Sequence, residues 1–150
     1  MNTNKTIKKI YFRIRLKRIC SKYQIILPPN VFDKGLFIDH LEPIVVNTHA
    51  KVGKNCIIES FVAIASNGID NGAPVIGDNV VIGTGAKVIG NINIGDNVII
   101  GANSVVNKSF GDNVTIAGVP AKIISNHTSK DIKTLAGVKI NSKIGDRYYD

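Results

Sequence analysis

The sequence predicts an all-β chain wound as a flat-sided coil of parallel strands, preceded by a short helix and followed by an irregular tail. Three observations predict it. The first is a six-residue period: every sixth position from 46 reads Val46, Val52, Ile58, Ile64, Asp70, Ile76, Ile82, Val88, Ile94, Ile100 and Val106, so ten of these eleven are Ile or Val. Six is not a helical period, but it is even, so a strand keeps one face inward in every unit. The second is the residue after each anchor, mostly Gly or Asn (Asn47, Gly53, Gly77, Gly83, Gly95, Gly101, Asn107), which suits a tight corner with unusual backbone angles. The third lies four residues after each anchor, where side chains are small: Ala50, Cys56, Val62, Gly68, Val80, Ala86, Val98 and Ser104. One large and one small inward residue per unit, with three units per turn of roughly 18 residues, describes stacked triangular turns filled by Ile and Val ladders.

In chain order, residues 1–24 form a basic helical arm. Eight of the 19 Lys and Arg residues lie before position 23, the first acidic residue is Asp33, and the rest of the chain is formally neutral. Apolar residues interleave with these cations at spacings of three and four (Ile7, Ile10, Tyr11, Ile14; Phe12, Leu16, Ile19, Cys20, Tyr23), which is a helical pattern. Such an arm can pack on the body with its lysines in water, or seek an anionic surface. Without stacking aromatics or a recognition motif it does not point to nucleic acid. The coil spans residues 25–125. Its register slips by two before position 46, where Phe32, Ile38 and Ile44 share a different phase. It is broken again at Asp70, in the polar run 67–74, which reads as an excursion where binding groups can sit. Phe110 opens an irregular Phe-Gly-Asp-Asn run, and residues 126–150 read as a loose or peripheral tail.

Composition excludes several classes. Charged residues are 20% and apolar ones 44%, so the chain is not disordered as a whole. No apolar stretch is long enough to span a bilayer, and a secretory leader is not expected, because the first residues lack a clean apolar core with a small-residue cleavage site. Two distant cysteines cannot build a disulfide framework, and a reduced, cytoplasmic protein is expected. His40 is a candidate base, because an imidazole titrates near neutrality. His49 reads as a solvated corner, Cys56 as a small core residue, and His127 has no assigned role.

The segments Pro28-Pro29-Asn30-Val31-Phe32, Gly35-Leu36-Phe37-Ile38-Asp39-His40, Ile44-Val45-Val46-Asn47, Gly72 to Asn79 and Ala117-Gly118-Val119-Pro120-Ala121-Lys122 resemble the hexapeptide-repeat acyltransferases. The likeness is greatest to the serine O-acetyltransferase branch and to its short members from polysaccharide gene clusters. The resemblance implies a left-handed parallel β-helix, a homotrimer with the active site between two subunits, and acetyl-CoA as co-substrate with no metal. It implies His40 as general base, Asp39 and Glu59 on the acceptor side, Thr84 and Ala102 at corners touching the pantetheine arm, and Lys122 near the nucleotide end of CoA.

The departures bear on the acceptor. The aspartate that orients the base in many serine enzymes is replaced by Ile25. The Arg-His pair that grips the amino acid is replaced by Gly72 and Ala73, which cannot hold a carboxylate. The chain ends Tyr149-Asp150, without the Ile by which serine enzymes dock onto cysteine synthase. The expectation is therefore O-acetylation of a sugar hydroxyl in surface polysaccharide synthesis, on an acceptor that can be lipid-linked, with the basic arm making peripheral membrane contact. Serine O-acetylation for cysteine synthesis and an inactive trimeric scaffold are the alternatives. A γ-carbonic-anhydrase-like metal enzyme would need three imidazoles around its ion, and the coil offers only His40 and His49.

Overall fold

The structure is a computed structural model and describes residues 3–69, 72–131, 134–135 and 138–139. It opens with helix α1 (Thr3–Lys22). The strands after it are very short. The first turns hold β1 (Ile25–Ile26), β2 (Phe37–Ile38), β3 (Ile44–Val46), β4 (Lys51–Val52), β5 (Ile57–Ile58) and β6 (Ala63–Ala65). The later turns hold β7 (Val75–Ile76), β8 (Val81–Ile82), β9 (Lys87–Ile89), β10 (Asn93–Ile94), β11 (Ile99–Ile100) and β12 (Val105–Val106). A hairpin of β13 (Thr115–Gly118) and β14 (Ala121–Ser125) closes the coil, with a cis Val119–Pro120 peptide at its turn.

Each turn lays one strand on each of three parallel sheets. The first face stacks β1-β3-β6-β9-β12, the second β4-β7-β10, and the third β2-β5-β8-β11-β13, with β14 antiparallel at its end. Inward anchors stack on anchors: Val46 on Ile64 on Val88 on Val106, and Ile38 on Ile58 on Ile82 on Ile100 on Ile116. Ile58, Ile64, Ile82, Val88, Ile100, Val106 and Ile116 are all fully buried, and so are the small partners Cys56, Ala86, Val98 and Ser104. A shape that repeats so closely needs the same side-chain volume in every turn, which is why the period survives in the sequence.

The register explains both irregularities. The basic turn is 18 residues, as from Val46 to Ile64 and from Ile82 to Ile100, and the last is shortened to 16, from Ile100 to Ile116. Ile58 pairs with Ile82, Val52 with Ile76 and Ala65 with Ile89, each 24 residues on. The run after Ala65 is therefore an inserted unit of six, which leaves the phase intact on either side; Asp70 and Asn71 themselves lie outside the described residues. Ile38 pairs with Ile58 and Phe32 bridges Val52, 20 residues on, while Val46 pairs with Ile64, 18 on. The two extra residues thus lie between Ile38 and Val46, in the corner that carries His40.

Two expectations are corrected. The residues with left-handed backbone lie not directly after the anchors but two places further on: Asn55, Phe61, Asn79, Gly85, Asn97, Asn103 and Asn113. The glycines directly after the anchors are needed for a different reason. A Cβ on Gly53, Gly77 or Gly95 would lie within 2.1–2.3 Å of the carboxylate of Asp78, Asp96 or Asp112 in the next turn. Those carboxylates are fixed there because each accepts a backbone N–H from the turn before, those of Lys54, Asp78 and Asp96 at 2.7–2.8 Å. Asn side chains form a parallel ladder, Asn55 to Asn79 to Asn97 to Asn113. The second correction is the end of the coil. Phe110 bridges Ile94 and Ile116 pairs with Ile100, so Gly111-Asp112-Asn113 is a further copy of the same corner rather than an irregular exit. Of the tail, the Thr115 hydroxyl donates to the His127 carbonyl and the Ser129 N–H to that of Asn97, and most of the chain beyond residue 131 lies outside the described residues.

Candidate active site

One edge of the triangle collects most of the expected site residues. It joins the third face to the first, and its successive corners hold Asp39-His40, Glu59-Ser60-Phe61, Gly83-Thr84-Gly85 and Gly101-Ala102-Asn103. The pairing of Ile38, Ile58, Ile82 and Ile100 sets these corners in register, one strand spacing of about 4.8 Å apart. Lys122 lies on β14 at the far end of the same face, paired with Ala117 and exposed. His49 is exposed on a different edge, with its backbone N–H donated to the Asn47 side chain.

His40 and Asp39 differ sharply in exposure. The imidazole is 64% exposed and the Asp39 side chain only 10%, with Asp39 Oδ2 lying 3.4 Å from His40 Nε2. A carboxylate beside one ring nitrogen holds the ring and leaves Nδ1 on the other side. Ile25 is 5% exposed and belongs to the core, so the carboxylate beside His40 comes from its own neighbour in sequence.

Glu59 is tied to the next turn. Its Oε2 accepts the Thr84 backbone N–H at 2.9 Å and the Thr84 hydroxyl at 2.7 Å. The Thr84 carbonyl accepts the Asn103 N–H at 2.8 Å. The Thr84 N–H is therefore already committed, and the second lone pair of its carbonyl is what the Thr84 backbone has to offer. Ala102 is an exposed corner residue. It is approached closely from below: a Cβ on Gly83 would come within 2.8 Å of its nitrogen.

Phe61 also lies on this edge, and sequence reasoning misses it. It adopts φ 59°, which is costly for a bulky side chain, and it is 51% exposed. Gly85 and Asn103 fill the equivalent place in later turns. The Lys87 ammonium donates to the Phe61 carbonyl at 2.6 Å and to the Gly85 carbonyl at 3.0 Å, which pins the corner. A signal exists in the sequence: position 61 is the one aromatic in a row otherwise dominated by Asn and Gly.

Gly72 and Ala73 are closed to larger groups. A Cβ at Gly72 would lie 2.4 Å from the Asn91 side chain, and Ala73 is 7% exposed in the core. Among the described residues no group of three His, Cys, Asp or Glu side chains is placed to hold a metal ion. Cys56 is fully buried and its thiol donates to the Gly77 carbonyl; burial pushes its pKa up to about 11.

A stacked triangular coil with this edge defines a hexapeptide-repeat protein. The family model "Bacterial transferase hexapeptide (six repeats)" matches residues 73–108. A serine acetyltransferase of Synechococcus elongatus is 43% identical over 93 residues, covering 61% of this chain and 38% of the relative. One from Buchnera aphidicola is 36% identical over 133 residues, covering 86% and 47%. Among solved structures, a serine O-acetyltransferase from Brucella melitensis superposes with a TM-score of 0.68 at 38% identity, covering 83% of this chain and 50% of that one. A serine acetyltransferase from Brucella abortus in complex with coenzyme A gives a TM-score of 0.61 at 42% identity, covering 65% and 40%. The coil is thus a left-handed parallel β-helix. The chain belongs to the hexapeptide-repeat acyltransferases, on the serine-acetyltransferase-like branch. It spans less than half the length of these two curated relatives.

Proposed function

We propose that this protein transfers an acetyl group from acetyl-CoA to a hydroxyl, with His40 as general base. The observation that carries the reading is an exposed imidazole, paired with a largely buried carboxylate, at the start of an edge whose later corners hold Thr84 and Ala102. His40 takes the proton of the hydroxyl as its oxygen attacks the thioester carbonyl. A C–O bond forms, the tetrahedral intermediate collapses with cleavage of the C–S bond, and the departing thiolate takes the proton from the imidazolium. Asp39 steadies that cation and lines the acceptor side, while Glu59, expected beside it, is taken up in bracing the Thr84 corner. Acetyl-CoA lies along the edge past Thr84 and Ala102, with its nucleotide end toward Lys122. Complexes of similar proteins with CoA support this co-substrate.

The acceptor we infer is a neutral sugar hydroxyl of a surface polysaccharide or its lipid-linked precursor. Support comes from Gly72 and Ala73, which stand where the resemblance would need an acid-gripping pair and have no room for one. L-Serine is the second reading, favoured by the names of the relatives. The working unit we infer is a cytoplasmic homotrimer. The outward residues of the first face are mostly apolar (Ile26, Val45, Ala63, Ile89, Val105), with exposed Leu41 and Phe61 beside it, so a second copy packed there would abut the His40 corner.

The test follows thiol release from acetyl-CoA with a panel of sugars, sugar nucleotides and L-serine, with mass analysis of the products. His40→Ala should lower turnover by about 10²–10⁴-fold while the melting temperature holds. Preferred turnover of L-serine would replace the sugar reading. Unchanged turnover in His40→Ala would overturn the role of the base. Absence of both turnover and CoA binding would favour an inactive scaffold.

A further inference from the structure

Helix α1 is poorly covered by the rest of the chain. Ile7, Ile10, Tyr11 and Ile14 make a stripe at helical spacing and are 51–59% exposed. Phe12, Leu16 and Ile19 make a second stripe, also exposed, and only its continuation through Cys20 and Tyr23 packs against the core. The first stripe touches none of that core. Seven large apolar side chains on one water-exposed helix need a cover. On a helical wheel Arg13 and Lys17 flank the first stripe on one side and Lys8, Arg15 and Lys22 on the other, Arg18 ends the stripe one turn beyond Ile14, and residues 1–22 hold no acid.

We propose that α1 docks on an anionic lipid bilayer, with Ile7, Ile10, Tyr11 and Ile14 in the interface and the flanking cations among the headgroups. An apolar stripe bordered by Lys and Arg fits that boundary, where long basic side chains reach outward to phosphate while their stems stay apolar. Charge decides against self-association of the arms, because each would bring eight cations to eight cations. The coil beyond the arm is formally neutral and offers no compensating field. No described helix is long and apolar enough to cross the membrane, so the contact is in-plane.

The fold gives this contact a direction. Helix α1 contacts β1, the terminal strand of the first face, and His40 comes just after β2, the terminal strand of the third. Arm and His40 therefore share the first turn, whereas the β13–β14 hairpin with Lys122 closes the last. Docking would present the His40 end to the lipid surface and leave the other end toward the aqueous phase; this orientation rests on the acetyl-transfer reading, but the docking does not.

The experiment is flotation of the full chain with vesicles of phosphatidylcholine alone, or of phosphatidylcholine with phosphatidylglycerol, at low and high salt. Binding is expected only to the anionic vesicles, and high salt should release it. Replacing Lys8, Arg13, Arg15 and Lys17 by Gln should weaken partitioning by roughly fivefold per cation, several hundredfold in all. Replacing Ile7, Ile10 and Ile14 by Ala keeps helix-forming residues and should also release the protein, with circular dichroism confirming the helix. His40→Ala should bind as the parent does, which separates this proposal from the catalytic one. No binding to anionic vesicles at low salt, binding unaffected by both sets of changes, or binding to single-stranded oligonucleotides in place of vesicles would overturn it.

Discussion

The Glu59–Thr84 contact offers the sharpest test of how the site is held. Glu59→Ala removes two hydrogen bonds made by one carboxylate oxygen to the next turn, at 2.9 and 2.7 Å. Bonds to a charged group contribute about 1.5–3 kcal/mol each, and partial exposure puts these at the low end, so the loss should be about 3 kcal/mol. For a chain of this size that lowers the melting temperature by about 6–12 °C. Glu59→Gln keeps an uncharged acceptor and should lose about half as much. Thr84→Val removes only the hydroxyl bond, so after Glu59→Ala it should cost almost nothing more. The double-mutant cycle should return a coupling of about 1.5 kcal/mol. Scanning calorimetry supplies the energies. Kinetics should show KM for acetyl-CoA rising several-fold while KM for the acceptor holds, because what loosens is the Thr84 corner. A melting shift within about 1 °C, or a coupling below about 0.5 kcal/mol, would refute the idea that Glu59 braces that corner. A rise in the acceptor KM alone would return Glu59 to the acceptor side.

Other outcomes rest on the same geometry. Gly77→Ala should destabilise by more than about 2 kcal/mol, because its Cβ would meet the Asp96 carboxylate and the Gly95 backbone, whereas Gly111→Ala at the open end of that column should be tolerated; denaturant midpoints compare them. Phe61→Gly should raise the melting temperature by about 2–4 °C by relieving the left-handed backbone, yet lower turnover if the ring serves the site, so stability and activity should move in opposite directions. Under iodoacetamide at pH 8, Cys20 should react and Cys56 should stay intact until the chain unfolds, since Cys56 is fully buried with a pKa pushed up to about 11; mass spectrometry of the native protein checks it. The raised value also sets a sign. The native state keeps a proton that the unfolded chain loses near 9, so the contribution of this group is full below that pH and fades as pH rises toward 11.

The coil is legible because its physics is repetitive. Each anchor from Val46 to Val106 meets the same neighbours, so selection for volume prints a period that can be read directly. The two-residue slip before Val46 is legible too, but only the register shows that the extra residues build the His40 corner. Contacts between turns that no period carries stay hidden from sequence reasoning. Nothing in a lone Glu59 says that it will reach Thr84, 25 residues on, and the left-handed backbone of Phe61 is signalled only by the Asn and Gly that fill its row, not by the residue itself. The glycines mislead for a related reason: a glycine at position 77 suggests unusual angles, when its real constraint is the aspartate of the turn stacked on it. Gly72 and Ala73 are readable as uncharged, though not as sterically closed by Asn91 and the core.

A stack of equal turns is also a ruler. Every added turn lengthens the edge from His40 to the closing hairpin by about 4.8 Å and changes nothing else. On the proposed reading, a donor molecule stretched along that edge would be gauged by the count of turns, and its fit could be retuned only in whole steps. Because the inserted six residues after Ala65 leave the count unchanged, a lineage can elaborate that loop freely while the gauge stays calibrated.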